Sequence, residues 1–586
     1  MDTMCSVNLK NQNRVVQVHS GATVKEVLAS LAIPFPFPCN GNGTCGKCRI
    51  KAKGELAPHT ADEIRLLNPE EIGNGIRLAC QTAIIGPVSL EFESQPAEAV
   101  GAILTAGIRE QVELEPLWEQ RILSAPESWE ECLLRINCEC QPERETLRAI
   151  ADAAPGSTLS LEIFDNRIIA TSYDQQPIAR YGVAVDIGTT TVAAYLVNLV
   201  SGEVAADAAQ YNPQARYGAD VIARIQYAAE PGGLNQLHSA IIGVINDLIG
   251  ELVVSKRLNY DQIIQVNCVG NSCMLHLLVG VNPTALGRAP FRPVFSGFIA
   301  LTPDEMAITM NPKGSIFILP GIGGHVGSDI SVGVLACHLE PSRKELLIDI
   351  GTNGEIVLAG NGNIFACSTA AGPAFEGAQL SCGMLALPGA IVDVVFQEDD
   401  LELTTIADRP PLGLCGSGLL RVIAELLKKG VITASGGFAK NSPDPHLDQQ
   451  TKRYYLLRDT PKPIYLTQED IRHFQVGKAA IRSGIELMLR KTGISATELE
   501  TIYLAGAFGS FLNAADAILL GLLPDIPPER LKIVGNSAGT GAIQCLLSKH
   551  RLRELLQKTP LIKAINLADE PDFMEIFTEA MLFGVE

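Results

Sequence analysis

Two segments of this 586-residue chain repeat one pattern. GVAVDIGTTTVAAYLV (182–197) and ELLIDIGTNGEIVLAG (345–360) each run as an apolar strand into Asp-Ile-Gly-Thr, then resume at once as a second apolar strand. A duplicated unit of this kind points to two similar half-domains facing each other across a cleft. A third strand-like segment, ETIYLAGAFGS (500–510), falls in the second half.

A carboxylate at a strand end followed by a Gly-Thr turn has a chemical use. The chain contains no Gly-x-x-x-x-Gly-Lys-Ser/Thr sequence, and no Gly-x-Gly-x-x-Gly follows a strand convincingly, so any phosphate must be held another way. In the first copy, Gly188, Thr189 and Thr190 supply backbone N–H groups and hydroxyls that can cradle phosphate oxygens, while Asp186 holds hydrated Mg²⁺. The second copy, Asp349 with Gly351, Thr352, Asn353 and Gly354, would grip from the opposite side. Leu504-Ala-Gly-Ala-Phe-Gly509, with Gly506 and Gly509, would pack against an adenosine. One Asp-x-Gly-Thr occurs by chance in many turns, whereas two strand-flanked copies plus the third element do not. Together they resemble the acetate and sugar kinase, heat-shock chaperone and actin superfamily, in which these are the first phosphate, second phosphate and adenosine motifs. Further Gly-rich loops at 320–330, 414–420 and 534–542 are expected to line the same cleft or join its halves. His325 and Asp329 are left outside the expected catalytic pair, Asp186 and Asp349, because a His in a Gly-rich loop is more often structural.

The N-terminus carries different chemistry. Cys39, Cys45 and Cys48 lie in PCNGNGTCGKC, five and then two residues apart, and Cys80 follows in RLACQ. Three thiolates on one tight loop with a distant fourth suit a [2Fe-2S] cluster, and Gly41, Gly43 and Gly46 let the backbone approach its sulfurs. Zinc sites prefer paired short spacings, and only one Cys-x-x-Cys is present. The five-residue first gap resembles the adrenodoxin-like branch of ferredoxins more than the plant type. Cys132, Cys138 and Cys140 lack a group to complete a second cluster. Cys268, Cys273, Cys337, Cys367, Cys382, Cys415 and Cys545 read as small core residues.

The chain is expected to be multidomain, α/β and α+β. Residues 1–94 alternate through a hairpin (Ser6–Val18), a helix (Thr23–Leu31) and strands at Cys48–Lys53 and Pro87–Phe92, a β-grasp pattern. Residues 95–109 read as a linker and 110–178 as a small middle α/β domain, with a helix over Glu143–Ala153 and strands at Thr158–Phe164 and Arg167–Thr171. Residues 179–586 form the two-lobed, actin-like domain. A net charge of −19 speaks against nucleic acid as a partner. The absence of a basic start with an apolar block, and of an uncharged apolar span, predicts a cytoplasmic chain with no membrane partner.

A ferredoxin domain fused through a short middle piece to such an ATPase resembles one family over essentially the whole chain, the reductive activators of corrinoid-dependent methyltransferases. The resemblance implies ATP-dependent, one-electron reduction of cob(II)amide on a partner corrinoid protein to cob(I)amide, with an upstream low-potential electron donor and a homodimeric assembly. Plant-type [2Fe-2S] centres lie near about −400 mV, and the cobalt couple is lower still, so ATP would have to favour an uphill transfer. Each ~59 mV of that gap is a tenfold factor for one electron. Two alternatives are a small-molecule kinase with a redox-sensing ferredoxin domain and an activator of a radical dehydratase. Members of the latter group resemble a dimer bridging one [4Fe-4S] cluster from within the ATPase domain, unlike the four cysteines here.

Overall fold

The computed structural model describes the chain except for residues 1–3, 11–13, 32, 34–42, 44–45, 47, 93–111, 137–139, 141–142, 155, 175, 177, 378–379, 398–399 and 585–586. Cys39, Cys45 and the expected linker therefore lie outside the described residues.

The N-terminal sheet is built from β1 (Met4–Leu9), β2 (Arg14–His19), β3 (Arg49–Leu56), β4 (Ile76–Leu78) and β5 (Ile84–Glu91), in the order β2-β1-β5-β3-β4. Alternation of apolar residues puts Val7, Leu9, Ile50, Ala52, Val88 and Leu90 on one buried face, against Val24, Val27 and Leu28 of the helix Val24–Ser30. The hairpin, the helix and the two later strand segments, here β3 and β5, fall where their sequence patterns put them. Two short helices, Ala61–Leu66 and Pro69–Gly73, precede β4, each opened by a reciprocal cap: Thr60 with Glu63, and Asn68 with Glu71.

The middle piece is an antiparallel sheet, β6 (Trp118–Ser124), β7 (Thr158–Phe164) and β8 (Arg167–Ser172), with helices Trp129–Ile136 and Arg144–Asp152. It has a small core of its own around Cys132, Ile136, Leu159 and Leu161. It is also fastened to the next module. Phe164 stacks on Phe317 at 6.4 Å, Arg167 donates to the Ser315 hydroxyl at 3.1 Å, and Lys313 meets Glu143 at 2.6 Å.

The remaining residues fold as two lobes. In the first, β9 (Tyr181–Ile187), β10 (Thr191–Asn198), β11 (Val204–Tyr211), β12 (Ile263–Gly270), β13 (Ile299–Leu301) and β14 (Ser315–Ile318) take the order β11-β10-β9-β12-β14-β13. The second contains β15 (Glu345–Ile350), β16 (Gly354–Gly360) and β17 (Asn363–Thr369). Two small sheets follow, one of β18 (Ala390–Gln397), β19 (Asp400–Thr405) and β20 (Gly413–Leu414), the other of β21 (Leu447–Asp448), β22 (Arg453–Leu457) and β23 (Ile464–Thr467). The main sheet is completed by β24 (Thr501–Ala505), β25 (Leu531–Gly535) and β26 (Ile562–Ala564), in the order β25-β24-β15-β16-β17-β26.

The repeat in sequence is thus a repeat in topology. Each lobe runs three antiparallel strands in meander, then adds two parallel strands beside the first. The lobes meet through helices Ser328–Ala336 and Ser537–Leu547. A Cβ at Gly541 would stand 2.2 Å from the Val332 carbonyl oxygen, so only glycine permits this close crossing. The helix Gly233–Lys256 is long and apolar enough in composition to cross a membrane, but it spends Leu237, Ile241, Ile245, Leu248 and Leu252 on the core of the first lobe.

Candidate functional site

In the ferredoxin domain, Cys48 and Cys80 are both buried, and their sulfurs lie 3.2 Å apart without a disulfide. Cys48 stands directly before β3 and Cys80 two residues past β4, so pairing of these two strands brings the thiols together. The cysteine-bearing loop is gripped by two arginines: Arg49 donates to the Gly46 and Leu66 carbonyls, and Arg65 to the Gly43 carbonyl at 3.2 Å. Gly43 and Gly46 have φ of 68° and 63°, and a Cβ on Gly43 would come 2.6 Å from Asp62. A buried thiol pair able to reach one iron fits a cluster ligated by four cysteines. Cys39 and Cys45, the other two expected ligands, lie outside the described residues.

The second site is the cleft between the lobes. It receives the ends of β9 and β15 and the turns that follow, so Asp186, Gly188, Thr189 and Thr190 face Asp349, Gly351, Thr352 and Asn353, with Gly506 at the end of β24. Gly354 and Gly509 stand behind this lining: Gly354 against Thr369 and Ile481, Gly509 against Leu504. The first turn is held from its carbonyl side. Asn212 donates to the Gly188 carbonyl at 2.8 Å through its side chain and to Thr190 at 2.8 Å through its amide, and the buried Arg224 donates to the Thr189 carbonyl at 2.5 Å. A Cβ on Gly188 would stand 2.7 Å from the Thr191 oxygen that its own amide bonds.

The cleft has contributors beyond the residues expected to bind, some of them from the three Gly-rich loops expected to line it. Glu355 is the cross-strand partner of Asp349, whereas the corresponding partner of Asp186 is Ala193. The two-residue periodicity of a tight hairpin carries that signal, because it sets the Glu of Asp-Ile-Gly-Thr-Asn-Gly-Glu opposite the Asp. Asp329 lines the cleft from the 320–330 loop, Asn536 from the 534–542 loop and Ser417 from the 414–420 loop. Asn271 donates to the Thr189 hydroxyl at 3.3 Å. Glu376 also enters, from the short turn Pro373–Glu376. His325 instead packs against the Phe291 ring, at 4.5 Å. Of the cysteines read as core residues, Cys382 alone is only half-buried.

Five carboxylates thus share a cleft whose lining contains no Lys or Arg among the described residues. Burial pushes Asp186 up to about 6, with the Asn536 hydrogen bond pulling the other way. Burial and then the charge of Asp186 push Asp349 up to about 7. Asp329 goes to about 8 through burial and the charges of Asp186 and Asp349, and Glu355 moves up through burial, Asp329 and Asp349. Such a cleft can take an anion only if a cation comes with it. Among the described residues no three carboxylates, thiols or imidazoles gather closely enough to cage a metal.

Fold and site together define an iron–sulfur protein with an actin-like nucleotide domain. Residues 7–84 match the "2Fe-2S iron-sulfur cluster binding domain", 181–342 the "RACo middle region", and 343–586 the "C-terminal domain of RACo the ASKHA domain". The chain is 32% identical, over 97% of its own length and 97% of the relative's, to the corrinoid activation enzyme RamQ of Eubacterium limosum. It is 26% identical to the [Co(II) methylated amine-specific corrinoid protein] reductase of Methanosarcina barkeri, over 66% of this chain and 74% of that one. A solved structure titled "Reductive activator for corrinoid,iron-sulfur protein" superposes with a TM-score of 0.74 at 30% identity, covering 99% of this chain and 98% of that one. The chain belongs to the RACo family of reductive corrinoid activators.

Proposed function

We propose that this chain uses ATP to drive the one-electron reduction of a cobalt(II) corrinoid, held by a partner protein, to cobalt(I). The observation that carries the reading is the union in one chain of a buried thiol pair in a ferredoxin fold with a carboxylate-rich cleft whose lining, among the described residues, contains no Lys or Arg. When bound, the [2Fe-2S] cluster supplies the single electron and Mg-ATP the free energy for the uphill transfer.

The residues divide the work. Cys39, Cys45, Cys48 and Cys80 hold the cluster. Asp186 and Asp349 order Mg²⁺ through its waters. Thr189, Thr190, Thr352 and Asn353 donate to phosphate oxygens, and Gly188 and Gly351 admit them to the backbone. Gly354 belongs to the second phosphate turn, and Gly506 and Gly509 to the segment that packs against the adenosine. The working modules are residues 1–94, 110–178 and 179–586, joined by 95–109. The protein acts as a cytoplasmic homodimer, fed by a low-potential donor.

The test combines the full chain with a low-potential reductant, Mg-ATP and a corrinoid protein, and follows Co(II) and Co(I) by optical spectroscopy. Cobalt(I) should accumulate only with ATP. Phosphate moved onto a small molecule with cobalt untouched would replace this reading with the kinase one.

A further inference from the structure

Glu376 ends the turn Pro373–Glu376 in the second lobe, yet its carboxylate serves both lobes. The Thr352 hydroxyl donates to its two oxygens at 3.2 and 3.1 Å, and the Thr352 amide donates to it as well. Across the cleft, the Thr190 hydroxyl donates to Oε2 at 3.3 Å. A Cβ on Gly351 would stand 3.8 Å from Oε1, so the carboxylate lies against the second Gly-Thr turn. An anion held by one hydroxyl from each Gly-Thr turn and by a backbone amide has the donor set that phosphate oxygens use.

The same donors cannot serve a carboxylate and a phosphate together, and among the described residues no Lys or Arg of the lining offsets two anions side by side. We propose that Glu376 is a built-in stand-in for the nucleotide's phosphate: it ties the lobes together through Thr190 and Thr352 in the nucleotide-free chain, and Mg-ATP displaces it. The displacement has a path onward. Phe375, the preceding residue, packs edge-on against Phe508 at 4.8 Å, which lines the cleft, and against Phe474 at 5.5 Å on the long helix Gln468–Thr492. Arrival of nucleotide would then be felt in the core of the second lobe.

This inference rests on the nucleotide reading, and its test separates the two. In the full chain, distance labels introduced by non-cysteine chemistry at the exposed Val254 and Met574, one on each lobe, report lobe separation without nucleotide; calorimetry reports Mg-ATP affinity. Glu376→Gln and Glu376→Ala should lengthen or broaden the nucleotide-free distance and tighten Mg-ATP binding about fivefold. Thr190→Val should loosen the lobes likewise but weaken Mg-ATP binding, because its hydroxyl serves both anions; simple relief of charge repulsion would tighten binding in the Glu376 variants without moving the lobes. Unchanged distances in the Glu376 variants, or weaker Mg-ATP binding by Glu376→Gln, would overturn the proposal. If the unaltered chain bound no Mg-ATP, the nucleotide reading would fall and the displacement with it. The distance measurement would then decide lobe-tying alone.

Discussion

Asn536 donates to Asp186 Oδ2 at 2.8 Å and, from the same nitrogen, to the Tyr195 hydroxyl at 3.0 Å, so the loop after β25 fixes the carboxylate at the end of β9 in the other lobe. Its Oδ1 meanwhile accepts from the Gly539 amide at 2.7 Å and caps the helix Ser537–Leu547. Asn536→Ala should therefore do two things. Loss of the cap should cost about 1 kcal/mol of stability. Release of Asp186 should weaken Mg-ATP binding about fivefold to tenfold, about 1 kcal/mol by the usual worth of such a bond. Thermal unfolding and calorimetry read the two effects separately; a lower melting temperature with unchanged affinity would show that the Asp186 contact is only structural.

Asp186→Ala and Asp349→Ala should each weaken Mg-ATP binding or turnover at least about tenfold, roughly 1.4 kcal/mol, because each removes a carboxylate facing the expected cation from one side. Cys45→Ser should leave that binding intact while abolishing the red-brown colour of the cluster, since the two sites lie in separate cores. Equal affinity and turnover in both aspartate variants would reduce the repeat to a structural device.

Gly506 offers a steric test of the same site. Its φ is +89°, and a Cβ there would stand 2.5 Å from the Ile350 carbonyl oxygen and 2.9 Å from Asp349 Oδ1. Gly506→Ala should thus strain the backbone by about 1–3 kcal/mol and push Asp349 out of place. A crystal structure of the variant should show Asp349 shifted, and Mg-ATP affinity should fall at least as far as in Asp349→Ala. An unshifted Asp349 with normal affinity would refute the link.

What the sequence disclosed and what it concealed divide along physical lines. Apolar strands that end in a charged residue and a Gly-Thr turn announce themselves, because hydrophobic run, carboxylate and turn are all local; β9, β10, β15 and β16 were legible for that reason. The thiol spacing was equally local on its loop. Asn271 and Glu376 were not legible, since each reaches the cleft only after distant segments have packed; the 534–542 loop was expected at the cleft, but nothing local singled out Asn536 within it. Asp329 was seen and set aside, because nothing in a Gly-rich loop shows that its helix opens onto the cleft. The small helices before β4 were missed because each spans only one to two turns, and they are held by caps and by one buried ion pair more than by an apolar stripe.

That ion pair yields the last prediction. Glu63 is fully buried and accepts from Arg77 at 2.8 and 2.9 Å, from the Leu78 amide and the Thr82 hydroxyl at 3.0 Å, and from the Thr60 amide at 3.0 Å. Burial opposes its charge, yet the hydrogen bonds from Arg77, Leu78 and Thr60 prevail and hold the carboxyl at about 2, below the ordinary 4.5. The folded-state value is therefore depressed, so the stabilisation is fully present above about pH 4.5 and drains away as the pH falls from there toward about 2. Glu63→Gln should leave Arg77 buried without its countercharge and destabilise the ferredoxin domain by about 3–5 kcal/mol at pH 7. The gap between variant and parent should narrow at pH 3, where the parent has lost part of its own contribution. Urea unfolding of the full chain, read by pulsed hydrogen exchange in β4 and β5, isolates this domain from the other two. Because Leu78 and Thr82 flank Cys80, the same variant should also lose its cluster faster in the presence of a chelator. A stability difference that stayed constant from pH 7 to pH 3 would show that Glu63 acts through packing alone.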